Sequence, residues 1–151
     1  MNPPEVDIPG HRIRVGCDIA ELREIEHSFA NFGDRFLDKI YTARELTDCA
    51  GPNWLPRLAA RFAAKEAAIK AFSRPDAPFV PREIEVVSDG SVPTLSLTGR
   101  AAALAVEQGW QQITVSLSHA ECHAAAVVVA VCRESWCGAD TAPVDRLGPP
   151  R

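Results

Sequence analysis

The stretch Arg61-Phe62-Ala63-Ala64-Lys65-Glu66-Ala67-Ala68-Ile69-Lys70-Ala71 decides how the rest of the chain is read. It is the centre of the strongest predicted helix, about Leu55 to Phe72, which Pro75, Pro78 and Pro81 end in a stiff loop. At about 100° per residue, Ala63, Ala64, Ala67, Ala68 and Ala71 share one broad side. Such a face lets another backbone approach closely. Phe62 and Ile69 fall together on a different side, with Glu66 and Lys70 at its edge, one turn apart.

Upstream, Arg12-Ile13-Arg14-Val15-Gly16-Cys17-Asp18-Ile19 alternates as a strand does. Ile13, Val15, Cys17 and Ile19 form its expected buried face. Arg14, Gly16 and Asp18 lie on the other, where Gly16 leaves room for a close neighbour. Leu22, Ile25 and Phe29 predict a helix stopped at Gly33, and Phe36, Leu37 and Ile40 a second one. Thr42 and Glu45 spell a capping box for a third, which Gly51-Pro52 breaks. Downstream come strands at Ile84 to Val87 and around Leu95 and Leu97, and a helix from Thr98 to Gln108. An alternating strand through Ile113, Val115 and Leu117 then turns at His119 into Ala124 to Val131. That last apolar run reads as a central strand covered on both faces. The expected class is α+β, a small, mostly antiparallel sheet packed against the long Ala-rich helix.

Length and charge bound the rest. The 151 residues allow one domain; 46% are hydrophobic and 24% charged, so a core is expected and wholesale disorder is not. Prolines cluster at both ends, which sets a working domain of residues 11–133 between flexible tails at 1–10 and 134–151. Net charge is −4, which argues against general binding to nucleic acid or an anionic membrane. No apolar run approaches the roughly 20 residues of a spanning helix, and no signal peptide opens the chain, so a cytoplasmic location is expected. The five cysteines form no CxxC, which favours reduced thiols over a disulfide framework.

Taken singly, the chemical candidates are weak. Asp18 beside Gly16 suits a hard cation or a solvated strand end. Glu66 suits a metal or an i, i+4 ion pair with Lys70. Together they gain meaning: two carboxylates from distant segments, without a cysteine–histidine set, suit Mg²⁺, which keeps waters and shares its shell with substrate phosphates. Lys70 would then hold a phosphate oxygen, with Arg61 and Lys65 as further phosphate contacts from the same helix. Neither GxxxxGK[ST] nor a strand-following GxGxxG occurs, so a glycine-rich nucleotide cradle is not supported. His119, Cys122 and His123 lack the partners to close a tetrahedral zinc site. No GxSxG elbow is present, and Cys17 reads as a core residue.

Five segments in order resemble the holo-acyl-carrier-protein synthases, the AcpS-type 4′-phosphopantetheinyl transferases. Val15-Gly16-Cys17-Asp18-Ile19 looks like their opening strand, and FLDKIYTAREL (36–46) like their "F…T..E" segment. RFAAKEAAIKA (61–71) is similar to their most specific signature. Gly90 and Pro93 resemble their "G-x-P" turn, and Val115 to His119 their "vSlSH" strand end. The resemblance implies transfer of the 4′-phosphopantetheine arm of coenzyme A to a serine of an acyl carrier protein, releasing adenosine 3′,5′-bisphosphate. It implies Mg²⁺ on Asp18 and Glu66, Lys70 against developing charge, and Arg61 and His119 on the nucleotide. The serine proton would go to a carboxylate such as Glu66 or to water on the metal. It also implies a homotrimer with sites between subunits, and the fatty-acid carrier as the default partner. Glu24-Ile25 departs from the family's usual Arg-Ile, leaving Arg14, Arg23, Arg35, Lys39 and Arg44 as candidates for meeting an acidic carrier. The alternative is a non-catalytic relative that binds coenzyme A or a carrier protein.

Overall fold

The structure, a computed structural model, describes the backbone of residues 5–90 and 92–133. Along the chain come β1 (Glu5–Ile8), β2 (His11–Glu21), α1 (Leu22–Phe32), α2 (Asp34–Ile40), α3 (Ala43–Cys49) and α4 (Trp54–Phe72). A 3-10 turn (Pro81–Glu83) leads to β3 (Ile84–Ser88), β4 (Pro93–Leu97), α5 (Gly99–Glu107), β5 (Trp110–His119) and β6 (His123–Arg133). One sheet has the order β1-β2-β6-β5 and the other is the β3-β4 hairpin; every pairing is antiparallel. This is the α+β class read from the sequence.

The N-terminal reading needs correction. Residues 5–8, assigned to a flexible tail, pair with Arg14 back to His11. Gly10, at φ 78°, makes the turn that returns the chain, and the new strand satisfies backbone groups along part of an otherwise open edge. The other expected tail, 134–151, lies outside the described residues.

The alanine side of α4 packs on the sheet. Ala63, Ala64, Ala67, Ala68 and Ala71 are all fully buried. Contact with β2 is so close that a Cβ on Gly16 would stand 1.8 Å from the Ala67 carbonyl oxygen. The room that Gly16 leaves is therefore filled by the helix backbone.

That contact inverts the expected faces of β2. The side turned to α4 carries Gly16, Asp18 and Ala20, with Gly16 and Ala20 buried. Ile13, Val15, Cys17 and Ile19 point the other way; Cys17 is exposed and Ile19 is 66% exposed. Hydrophobicity alone favours the opposite assignment. Backbone-to-backbone packing overrides it, because only the glycine side can come this near a helix. The same inversion corrects β6. It is an interior strand, but only Ala124, Ala126, Val128, Ala130 and Cys132 are buried. Its other side aligns Val127 with Cys17 and Ala125 with Ile19, and Val127 is 39% exposed.

A second core forms where Leu22, Ile25, Tyr41 and Cys49 of the α1–α3 region meet Leu58, Ala59 and Ala60 of α4. The predicted capping box is present at the start of α3: Glu45 N–H donates to Thr42 Oγ1 and Thr42 N–H to the Glu45 carboxylate. At the far end of α4 the Phe72 carbonyl accepts from Arg14 Nη1 at 3.2 Å and Gln108 Nε2 at 2.8 Å. Arg14 is thus turned to the helix end, which removes it from the cations expected to meet a carrier. Arg23, Arg35, Lys39 and Arg44 remain exposed.

Candidate active site

Gly16 brings α4 down onto β2, and two residues further on Asp18 meets the same helix. Lys70 Nζ donates to Asp18 Oδ1 at 2.7 Å and to the Cys17 carbonyl at 3.0 Å. The Asp18 side chain is 16% exposed and that of Lys70 54%. The close ion pair of Lys70 is therefore with Asp18, across two elements, and not the i, i+4 pair with Glu66 that the sequence spacing offers. Glu66 stands beside both. Burial raises its pKa above the usual carboxylate value, the Asp18 charge raises it further, and Lys70 opposes the rise. Asp18, Glu66 and Lys70 are brought together as expected.

Two carboxylates facing one ammonium leave one negative charge uncompensated. Among the described residues no group of three or more His, Cys, Asp or Glu could enclose a metal. The donor set that does exist, two carboxylates at a half-open edge, fits an ion that draws its remaining ligands from water and phosphate. Mg²⁺ has that habit.

The other expected residues lie outside this cluster. Arg61 is buried, five residues before Glu66, so about 7.5 Å further down α4. Its Nη2 donates to Ser88 Oγ at 3.3 Å, while its buried Nε has no partner. Ser88 also lines a groove of about 430 Å³ with Gly90, Pro93 and Ser116, so the glycine–proline turn and Arg61 share one side of the molecule. His119 ends β5, exposed, in register with Ala124. With β6 between, it stands about 10 Å from β2. It lines a separate hollow of about 360 Å³ with Ile19 and His123.

Lys65 is corrected outright. Its ammonium is fully buried and donates to Glu45 Oε2 at 2.8 Å, to the Pro81 carbonyl at 3.1 Å and to the Ile84 carbonyl. No hydrogen is left for a phosphate. Burial lowers its pKa, against the pull of Glu45. Glu45 in turn accepts from Val86 N–H at 3.0 Å and Thr42 N–H at 2.9 Å. The sequence signals Glu45 as a capping residue and as the glutamate of the "F…T..E" segment; its pairing with Lys65, twenty positions away, has no signature in spacing.

A small antiparallel sheet with an alanine helix laid on a glycine strand, and two carboxylates with a lysine where they touch, forms a candidate site whose chemistry suits a divalent cation and phosphate without a glycine-rich loop. Residues 14–132 match the sequence model of the 4′-phosphopantetheinyl transferase superfamily, and the chain belongs to that family. The holo-[acyl-carrier-protein] synthase of Dehalococcoides mccartyi strain 195 is 49% identical over 118 residues, 77% of this chain and 96% of that one. That of Maridesulfovibrio salexigens is 40% identical over 119 residues, 78% and 96% of the two chains. Among solved structures, a Chronobacterium ammoniagenes ACPS–CoA complex aligns with a TM-score of 0.72 at 28% identity, covering 80% of this chain and 98% of that one. The Mycobacterium tuberculosis acyl carrier protein synthase aligns at 0.58 with 36% identity, covering 78% and 95%.

Proposed function

We propose that this chain moves the 4′-phosphopantetheine arm of coenzyme A to a serine hydroxyl of an acyl carrier protein. The serine oxygen forms a bond to the phosphorus that carries the pantetheine. The bond from that phosphorus to the bridging oxygen breaks, and adenosine 3′,5′-bisphosphate leaves. The observation that carries this reading is the meeting of Asp18, Glu66 and Lys70 at the β2–α4 contact, within a chain whose similar structures include coenzyme A complexes.

Transfer of this kind relies on positioning and charge neutralisation more than on covalent help. Asp18 and Glu66 would hold Mg²⁺, which when bound supplies Lewis-acid neutralisation of the diphosphate. Lys70 lies on the same edge and would meet the charge that develops on the leaving oxygen. Arg61, whose Nε is unpaired beside the Ser88 groove, would hold the nucleotide end, with His119 as a further contact. The serine proton would go to a carboxylate such as Glu66 or to water held at the same edge.

We also infer a homotrimer. The outer side of β2 and β6 presents Ile19, Cys17 and Val127 to solvent, an apolar stripe that a neighbouring copy would cover. A site between subunits would bring His119 of one copy toward the carboxylate cluster of the next.

Incubation with coenzyme A, Mg²⁺ and apo-carrier proteins tests the reaction. A carrier heavier by one phosphopantetheine arm is expected; no gain with any of several carriers would overturn it in favour of a binding-only relative. Asp18→Ala and Glu66→Ala should each abolish transfer while the fold persists, as read by circular dichroism.

A further inference from the structure

The one fully buried ion pair described, Lys65 with Glu45, plays no part in the chemistry proposed above. We propose that it is a positioning device: it sets the rotation of α4 about its own axis, and so the placement of Glu66 and Lys70 opposite Asp18. The inference rests on the transferase reading and deepens it.

The need for such a device follows from the packing of α4. Its sheet-facing side is alanine almost throughout. Helices are usually held in register by ridges of side chains seated in grooves, and one-carbon side chains make shallow ridges. Gly16 sets how near the helix comes, but a smooth face leaves rotation weakly specified. Lys65 supplies what the alanines do not. All three of its acceptors lie off α4: Glu45 on α3, Pro81 in the 3-10 turn and Ile84 on β3. Glu45 is itself held by Thr42 and Val86 backbone groups. The ammonium can satisfy three separately anchored acceptors only at one helix rotation.

Glu66 is the next residue, so any rotation reaches it directly. At a radius of about 6 Å, a turn of about 10° moves its carboxylate by about 1 Å. A displacement of that size can cost about 100-fold in rate. Stability does not demand the pair, because buried ion pairs replaced together by uncharged residues are often neutral or better.

Replacing both partners separates the two roles. In Glu45→Gln with Lys65→Met, the glutamine oxygen keeps an acceptor for one of the Val86 and Thr42 N–H groups and gives up the other, and its amide can donate to a carbonyl that Lys65 leaves. We expect a folded protein whose Tm falls by no more than one lost backbone hydrogen bond accounts for, and a KM for coenzyme A that rises modestly, because Arg61 rides on the same helix. Transfer kcat should fall about 100-fold. A folded double variant with full kcat would overturn the proposal, as would a KM rise with kcat intact. Should the double variant not fold, Lys65→Met alone, which leaves Glu45 its two backbone donors and free to take up a proton, is read by the same criteria. A crystal structure of the folded variant gives a reading independent of activity: α4 turned relative to β2 supports the device, and α4 in place sinks it. If the unsubstituted chain transfers nothing, the proposed function fails, while the crystallographic comparison still decides the role of the pair.

Discussion

Glu66 can be discharged without changing its shape, and the response to pH separates its cost from its use. Its pKa is raised in the folded chain, first by burial and then by Asp18. The folded state therefore holds a proton that the unfolded state gives up as pH rises past about 4.5. Stability falls across the interval from that value to the raised one, and the loss persists above it. Below about pH 4 the carboxyl is protonated in both states and costs nothing. Glu66→Gln should accordingly match the unsubstituted chain at low pH and melt higher at pH 7 in the absence of divalent cations. Thermal melts across pH check this; a lower Tm for Glu66→Gln at pH 7 would show that Lys70 outweighs burial and Asp18. Added Mg²⁺ should raise the Tm of the unsubstituted chain and not that of the variant.

At the scale of elements, the junction of β2 with α4 decides the architecture. Gly16→Ala places a methyl group 1.8 Å from the Ala67 carbonyl oxygen and 2.9 Å from the Ala71 nitrogen, both backbone atoms that cannot swing aside. Overpacking of this kind costs up to about 3 kcal/mol or more, and chemical denaturation should show it; a loss under about 1 kcal/mol would mean that the helix lifts freely. How far the sequence disclosed these elements depended on where the deciding information lay. The helices, the strands other than β1, the capping box and the meeting of Asp18 with Glu66 and Lys70 rest on local spacing or on a recognisable motif, and they were legible. The orientation of β2 was not, because alternation says that two faces differ but not which one a single chain buries. Lys65 was misread for a related reason. Lys65 and Lys70 look alike on α4, and only Glu45, brought in from α3, makes one of them interior.

For the whole molecule, the outward apolar stripe of β2 and β6 makes assembly measurable at one atom. Cys17 Sγ lies within it, whereas Cys49 is buried with its thiol pushed up to about 11 by that burial. Alkylation followed by peptide mass analysis should leave Cys49 unmodified at every concentration. Cys17 should be protected at high protein concentration and labelled on dilution. Labelling independent of concentration, with a monomer mass in sedimentation, would overturn the trimer.

The inverted strand has a thermodynamic consequence as well. If its apolar side is covered only by other copies, folding and association share one equilibrium, and stability becomes a function of the amount of protein present. The melting temperature would then slide downward with each serial dilution, and two variants could be ranked only at matched molarity.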